Sequence, residues 1–170
     1  VTDKDTINIV ENVLIEFNKE IVEALKKLNC KAKKITTKEN SIISVIQEDQ
    51  DLGFVGMPRS INKDLLTETI KTNEVPVIAP LGLDKNNQTF NINADTAAGS
   101  IAIELKARRL MIISDVEGVL DSKKKLIPEI NSKKANELID REIITGGMIP
   151  KINNCLDVAS KGVKAVVIID

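Results

Sequence analysis

Three segments of this 170-residue chain carry side chains whose types and spacing suit chemistry on an anion. The first is Gly146-Gly147-Met148-Ile149-Pro150-Lys151. Its glycine pair precedes a helical pattern with Pro150 in the first turn, where a missing N–H costs nothing. Lys151 falls in that same turn, an unfavourable place for a cation because the helix dipole is positive there. A bound anion would offset the clash and accept hydrogen bonds from the helix-end amides, and glycine would permit its approach. From spacing alone, this reading and a flexible Gly-Gly turn with a solvated lysine stand level.

The second segment is Asn91-Ile92-Asn93-Ala94-Asp95, between an apolar strand pattern and a helical one. Short polar residues at such a junction ordinarily cap the helix or hold a turn, and read alone the segment favours that role. Three of them at alternate positions exceed what one cap uses, and Asp95 carries the charge to organise a lysine. The third segment, Ser114-Asp115-Val116-Glu117-Gly118-Val119-Leu120, leaves an apolar strand at its carboxyl end. Gly118 would let a nucleotide approach closely; a plain turn fits the pattern as well. Neither GxxxxGK[ST] nor GxGxxG occurs, so the standard phosphate cradles are excluded.

Composition narrows the chemistry further. There is no His, which removes histidine triads, imidazole metal sites and the usual general base near neutral pH. Catalysis must then use Lys, Asp, Glu, Ser, Thr or backbone dipoles. Lys and Arg (24) nearly balance Asp and Glu (25), and aromatic residues make up only 2%, so neither a basic field nor a stacking platform invites nucleic acid. Cys30 and Cys155 lack metal-ligand spacing and read as thiols of a reducing cytosol. No apolar run approaches the roughly 18 residues of a bilayer span, and no signal peptide is visible. The chain is expected to be cytoplasmic, with no membrane and no nucleic-acid partner.

The elements that must position these segments follow from periodicity. Asp3 to Asn29 carries Ile7, Val10, Val13, Leu14, Phe17, Ile21, Leu25 and Leu28 at three-four spacing, which predicts one long helix or two joined near Asn18, started by Thr2 with Asp5. Core packing is the expected use of that stripe; a partner subunit is the alternative. Short strands are predicted at 41–46 and 51–55, with Gly53 and Gly56 at bends, and a helix at 62–72. Strands at 75–79, 110–113 and 164–169 alternate with helices at 94–106, 132–140 and 149–160. That alternation predicts an α/β class with a largely parallel, doubly wound sheet. In such sheets ligands sit beyond the carboxyl ends of the strands, where the loops 80–95 and 114–120 lie.

Taken in order, Asp51-Leu52-Gly53-Phe54-Val55-Gly56, Val75-Pro76-Val77-Ile78-Ala79-Pro80, the Asn91–Asp95 segment, Ser114-Asp115-Val116 with Gly118-Val119-Leu120, and the Gly146–Lys151 segment resemble successive motifs of the N-acetylglutamate kinases. The resemblance spans nearly the whole chain. Within the wider amino-acid kinase family, the NINAD and GGMIPK segments are specific to that enzyme, and the Ser-Asp-Val-x-Gly turn is shared more broadly.

The resemblance implies an incomplete amino-acid kinase fold, a three-layer αβα sandwich with a mainly parallel sheet. About 1–93 would be the remainder of the acyl-amino-acid-binding half, and about 94–170 the nucleotide-binding half. It implies ATP-dependent phosphorylation of the side-chain carboxylate of N-acetyl-L-glutamate, in arginine biosynthesis, with Mg²⁺ accompanying ATP and held mainly by its phosphates. Lys151 corresponds to a lysine that neutralises the transferring phosphoryl group, and Asp95 to the aspartate that holds the catalytic lysines. Asn91, with Asn93, falls where the acylated amino acid binds. Ser114, Asp115, Val116, Glu117, Gly118, Val119 and Leu120, together with Ile143, Ile144, Thr145, Gly146 and Gly147, fall where the nucleotide binds. No residue is assigned as a metal ligand, and a homo-oligomer is expected.

The family's opening strand with its lysine and Gly-Gly turn, its second glycine-rich turn, an Arg just before the segment matching Val1-Thr2, and its continuation past the position of Asp170 have no counterpart here. A chain cut at both ends is therefore expected. A related kinase with aspartate or carbamate as acceptor, and a non-catalytic dimerisation or regulatory module built on the long helix, are the alternatives.

Overall fold

Asp3 opens the first helix: its carboxylate accepts the amide of Thr6 at 2.8 Å. This is seen in the computed structural model, which describes residues 1–170. Helix α1 (Lys4–Lys27) runs unbroken through Asn18. The cap lies one residue later than the Thr2 start read from sequence, because Thr2 is used elsewhere. Its N–H bonds to Leu52 O at 2.9 Å and its carbonyl accepts from Phe54 N at 2.7 Å, forming an isolated parallel bridge to Gly53.

The inward face of α1 differs from the predicted apolar stripe. Its buried residues are Ile7, Glu11, Asn18 and Val22, whereas Val13, Phe17, Ile21 and Leu28 are exposed. Two polar residues hold the helix in this rotation. Asn18 Nδ2 donates to Val77 O at 2.9 Å, and the Glu11 carboxylate is bonded on both oxygens. A helix rotated to bury the apolar stripe would leave those backbone and hydroxyl partners unsatisfied.

The chain divides into two compact units, Val1–Ala97 and Ala98–Asp170. In the first, β1 (Ala32–Ile35) pairs in parallel with β4 (Val75–Ile78), Ala32 opposite Val75. A second sheet has the order β3 (Gly56–Ile61), β2 (Ile43–Gln47), β5 (Leu81–Leu83), β6 (Thr89–Asn91). In it β2/β3 and β5/β6 are antiparallel, and β2/β5 is parallel. Pro58 is accommodated because β3 is an edge strand. Helix α2 (Lys63–Lys71), capped by Asn62, packs on β4.

The strand predicted at 51–55 is instead a short 3-10 turn, Gln50–Leu52, capped by Asp49. Asp49 Oδ1 takes the Asp51 amide at 2.9 Å, and Gly53 follows at φ +70°, so the chain turns before β3 begins at Gly56. Strands β1, β5 and β6 carry no strong apolar signal: β1 includes Lys33 and Lys34, and β5 and β6 have three residues each.

Helix α3 (Ala94–Glu104) starts in the first unit and continues into the second. There β7 (Arg109–Ile113) and β8 (Ala165–Ile169) pair in parallel, Arg109 opposite Ala165 through Ile113 opposite Ile169. The crossover between them holds α4 (Ser132–Asp140), capped by Asn131, and α5 (Met148–Ser160). The α/β class with mainly parallel pairing therefore holds. Two cores support this unit: one joins Val119, Ala135, Leu138, Ile144 and Ile152, the other Ala102, Val158 and Val163.

Candidate functional site

The first unit positions Asn91, Asn93 and Asp95 at the junction of β6 and α3. Asn91 ends β6 opposite Leu81, and its amide bonds to Phe54 O at 2.9 Å. Asn93 is the helix cap: its Oδ1 accepts the amides of Asp95 at 3.0 Å and Thr96 at 3.2 Å. Capping therefore accounts for Asn93, as its position between strand and helix suggested. Ile92 is fully buried between the two asparagines and anchors the junction. Asp95, half-buried in the first turn of α3, sits where the helix dipole favours a carboxylate.

The second unit brings the two remaining segments together. Ser114 leaves β7 with its amide on Ile169 O at 2.8 Å, and its hydroxyl lies 3.2 Å from Asp115 Oδ1. Asp115, Val116 and Glu117 are exposed; Gly118 and Val119 are buried. Gly118 has φ +137°, and a Cβ there would lie 2.8 Å from Leu126 Cδ1, so the turn admits only glycine comfortably. Leu120 bridges Leu126 in a small hairpin tipped by Lys123, Lys124 and Lys125. Val119 shares a core with Ile144, and Ile143, Met148 and Ile149 pack on the same cluster. That contact seats the Ser114–Leu120 loop beside the Ile143–Lys151 segment.

The start of α5 is built differently from the other helix starts. Side-chain oxygens of Asp3, Asn62, Asn93 and Asn131 cap α1, α2, α3 and α4. At α5 the cap position is Gly147, with no side-chain cap bond and no acidic residue in the first turn. A Cβ added at Gly146 or Gly147 would meet nothing within 4 Å, so neither glycine is needed for packing within the protein. The amides of Met148 and Ile149 already bond to Thr145 O and Gly146 O, at 3.3 and 3.2 Å. An anion here would therefore meet an open Gly-Gly surface and the positive helix end, with Lys151, half-buried, one turn on.

Glu11 lies outside all three motif segments. It is 7% exposed, and the pattern did carry a signal, since it lies four residues from Ile7 and seven from Asn18 on the inward face. Burial pushes its carboxyl up, but hydrogen bonds from Thr37 and Thr89 and the ammonium of Lys38 outweigh this and hold it below the usual glutamate range. No group of three or more acidic or thiol side chains is gathered in a way that could hold a metal ion. No helix is long and apolar enough to cross a membrane.

The chain is 84% identical to the acetylglutamate kinase of Pelagibacter ubique (strain HTCC1062) over 170 residues, all of this chain and 59% of that protein. It is 44% identical to the acetylglutamate kinase of Rhodopseudomonas palustris (strain BisB18), again over its full length and 62% of the relative. The chain thus spans about three fifths of these curated relatives. A crystal structure of smu.665 from Streptococcus mutans UA159 superposes with a TM-score of 0.93 at 32% identity, covering all of this chain and 70% of that one. Residues 1–170 also match the amino acid kinase family as a whole.

Proposed function

The chain belongs to the amino acid kinase family, and from that membership we propose that the natural polypeptide carrying it phosphorylates the side-chain carboxylate of N-acetyl-L-glutamate with ATP, a step of arginine biosynthesis. The observation that carries this reading is the 84% identity to a named acetylglutamate kinase across all 170 residues. The reaction balances simply. A carboxylate oxygen attacks the γ-phosphorus of ATP, the bond to the bridging oxygen breaks, and ADP leaves behind an acyl phosphate. A carboxylate is already ionised at neutral pH, so the nucleophile needs no base, and the absence of His from these residues is no obstacle.

In this reading Asn91 binds the acylated amino acid. Asn93 holds the start of α3, and so fixes Asp95, which orients the cationic groups. Lys151 neutralises charge on the transferring phosphoryl group. The nucleotide lies along Ser114–Leu120 and Ile143–Gly147, with its phosphates on the open glycine surface before α5. Mg²⁺ arriving on those phosphates supplies further charge neutralisation. The protein works in the cytoplasm, consistent with two cysteines outside any disulfide. It self-associates through α1, whose Ile9, Val13 and Phe17 are 64%, 60% and 57% exposed.

The test is to incubate the natural polypeptide with Mg-ATP and, in parallel, N-acetyl-L-glutamate, L-glutamate, L-aspartate or carbamate. Acyl phosphate is trapped with hydroxylamine, and ADP release reports all four. Turnover with N-acetyl-L-glutamate alone is expected. Preference for any other acceptor, or none, overturns the assignment.

A further inference from the structure

We propose that Glu11 is a positioning residue for the acceptor: through Thr89 it fixes strand β6, and with it Asn91. The inference rests on the reading above, in which Asn91 binds the acylated amino acid. Its physical basis is independent of that reading.

A carboxylate that is only 7% exposed on the inner face of a helix is an expensive choice where Leu would pack. Here both oxygens are used, and the donors come from two separate segments. Oε1 accepts the hydroxyl of Thr89 at 2.7 Å and the hydroxyl of Thr37. Oε2 lies 3.1 Å from Lys38 Nζ. Thr37 and Lys38 belong to the turn after β1, closed by Thr36 N on Glu39 O at 2.8 Å. Thr89 begins β6, so one carboxylate ties α1, that turn and β6 together.

β6 has need of such a tie. It lies at the end of its sheet, is three residues long, and pairs with β5 over Leu81, Gly82 and Leu83, a pairing extended by Asp84 N on Gln88 O and Ile92 N on Pro80 O; it makes one further bridge, from Asn91 to Val55. The hairpin turn sets its register against β5, but how β6 sits against α1 is left to side-chain contacts. A hydrogen bond to a charged acceptor has a fixed length and direction, which a packed methyl lacks. Thr89 and Asn91 are two residues apart and so share a face of β6. A displacement at Thr89 passes directly to Asn91, and over Ile92 to the cap at Asn93.

The test separates position from stability with two substitutions of one residue. Thr89→Val keeps shape and volume but removes the hydroxyl; Thr89→Ser keeps the hydroxyl but loses a buried methyl. In the natural polypeptide, Thr89→Val is expected to raise KM for N-acetyl-L-glutamate about tenfold, with kcat and KM for ATP within about twofold of wild type. Thr89→Ser is expected to melt at a lower temperature yet keep the wild-type KM. Amide exchange at Phe90 and Asn91 should quicken in the valine variant and not in the serine one. Should the valine variant fail to fold, Glu11→Gln, which keeps volume but loses the charge facing Lys38, is expected to raise the same KM. Wild-type turnover together with an unchanged KM in these variants, or a KM that follows melting temperature across them, overturns the positioning role while leaving the proposed reaction standing. Absence of wild-type turnover overturns the reaction itself, and the exchange rates then judge the tie to β6 on their own.

Discussion

Lys38 Nζ sits 3.1 Å from Glu11 Oε2, an ion pair whose lysine is 63% exposed and whose glutamate side chain is only 10% exposed. An exposed pair of this kind contributes little, but a buried carboxylate that loses its donors is left stranded. The Glu11 carboxyl is held below its usual range in the folded state. Its contribution is therefore complete above the ordinary glutamate value of about 4.3 and is lost as pH falls through the folded value. Glu11→Gln should lower the urea midpoint clearly at about pH 7, and the gap to wild type should narrow by about pH 3. A gap that stays constant over that range would show that the carboxylate charge is not what stabilises this network.

Much of the second unit was legible because its signals are local. The predicted helix at 132–140 coincides with α4, and the strands at 110–113 and 164–169 fall within one residue of β7 and β8, since each is a continuous apolar or amphipathic run. The first unit was harder to read. β5 and β6 are three residues each, too short for alternation to declare itself, and β1 is half lysine. The rotation of α1 depends on Asn18 meeting a carbonyl 59 residues away and Glu11 meeting a hydroxyl 78 residues away. No window along the chain contains both partners. At the site, glycines and caps were visible locally, whereas the seating of Val119 against Ile144 depends on folding.

Lys151→Ala and Asp95→Ala should each reduce kcat for acyl-phosphate formation at least about a hundredfold. In the proposed reaction Lys151→Ala removes the charge that would face the transferring group, so Lys151→Arg is expected to recover only part of the rate, because the guanidinium is planar and larger. Single-turnover measurement of ADP release checks both. Full activity in either alanine variant refutes the site.

Two glycines should behave in opposite ways. Gly53 has φ +70°, and a Cβ there would lie 2.3 Å from Thr2 O, so Gly53→Ala must push apart the bridge that ties Thr2 to this turn. A loss of about 2 kcal/mol in unfolding free energy is expected from the clash and backbone strain together. Gly147 has φ −64°, and an added Cβ meets nothing. Gly147→Ala should leave the melting temperature nearly unchanged while raising KM for ATP several-fold, because in the proposed reading the methyl would occupy the space of a phosphate. An unchanged KM for ATP in the Gly147 variant would count against that use of the α5 start.

Phe17 tests what covers α1. Ile9, Val13 and Phe17 recur every four residues, so their side chains form one row along the helix, and each is more than half exposed. Ile7, Glu11, Asn18 and Val22 face inward instead, and the bonds of Glu11 and Asn18 keep the helix from rolling to bury the row. An apolar row left outside by specific bonds is the pattern of a face that meets another surface, and self-association supplies one. Phe17→Arg keeps a good helix former and puts a charge at the middle of the row. In the natural polypeptide, sedimentation should then show the mass of a single chain where wild type shows a multiple of it. The far-ultraviolet spectrum should be unchanged, because Phe17 contributes little to the core. A variant that keeps the wild-type mass, or a wild type that already has the mass of a single chain, would overturn self-association through this face.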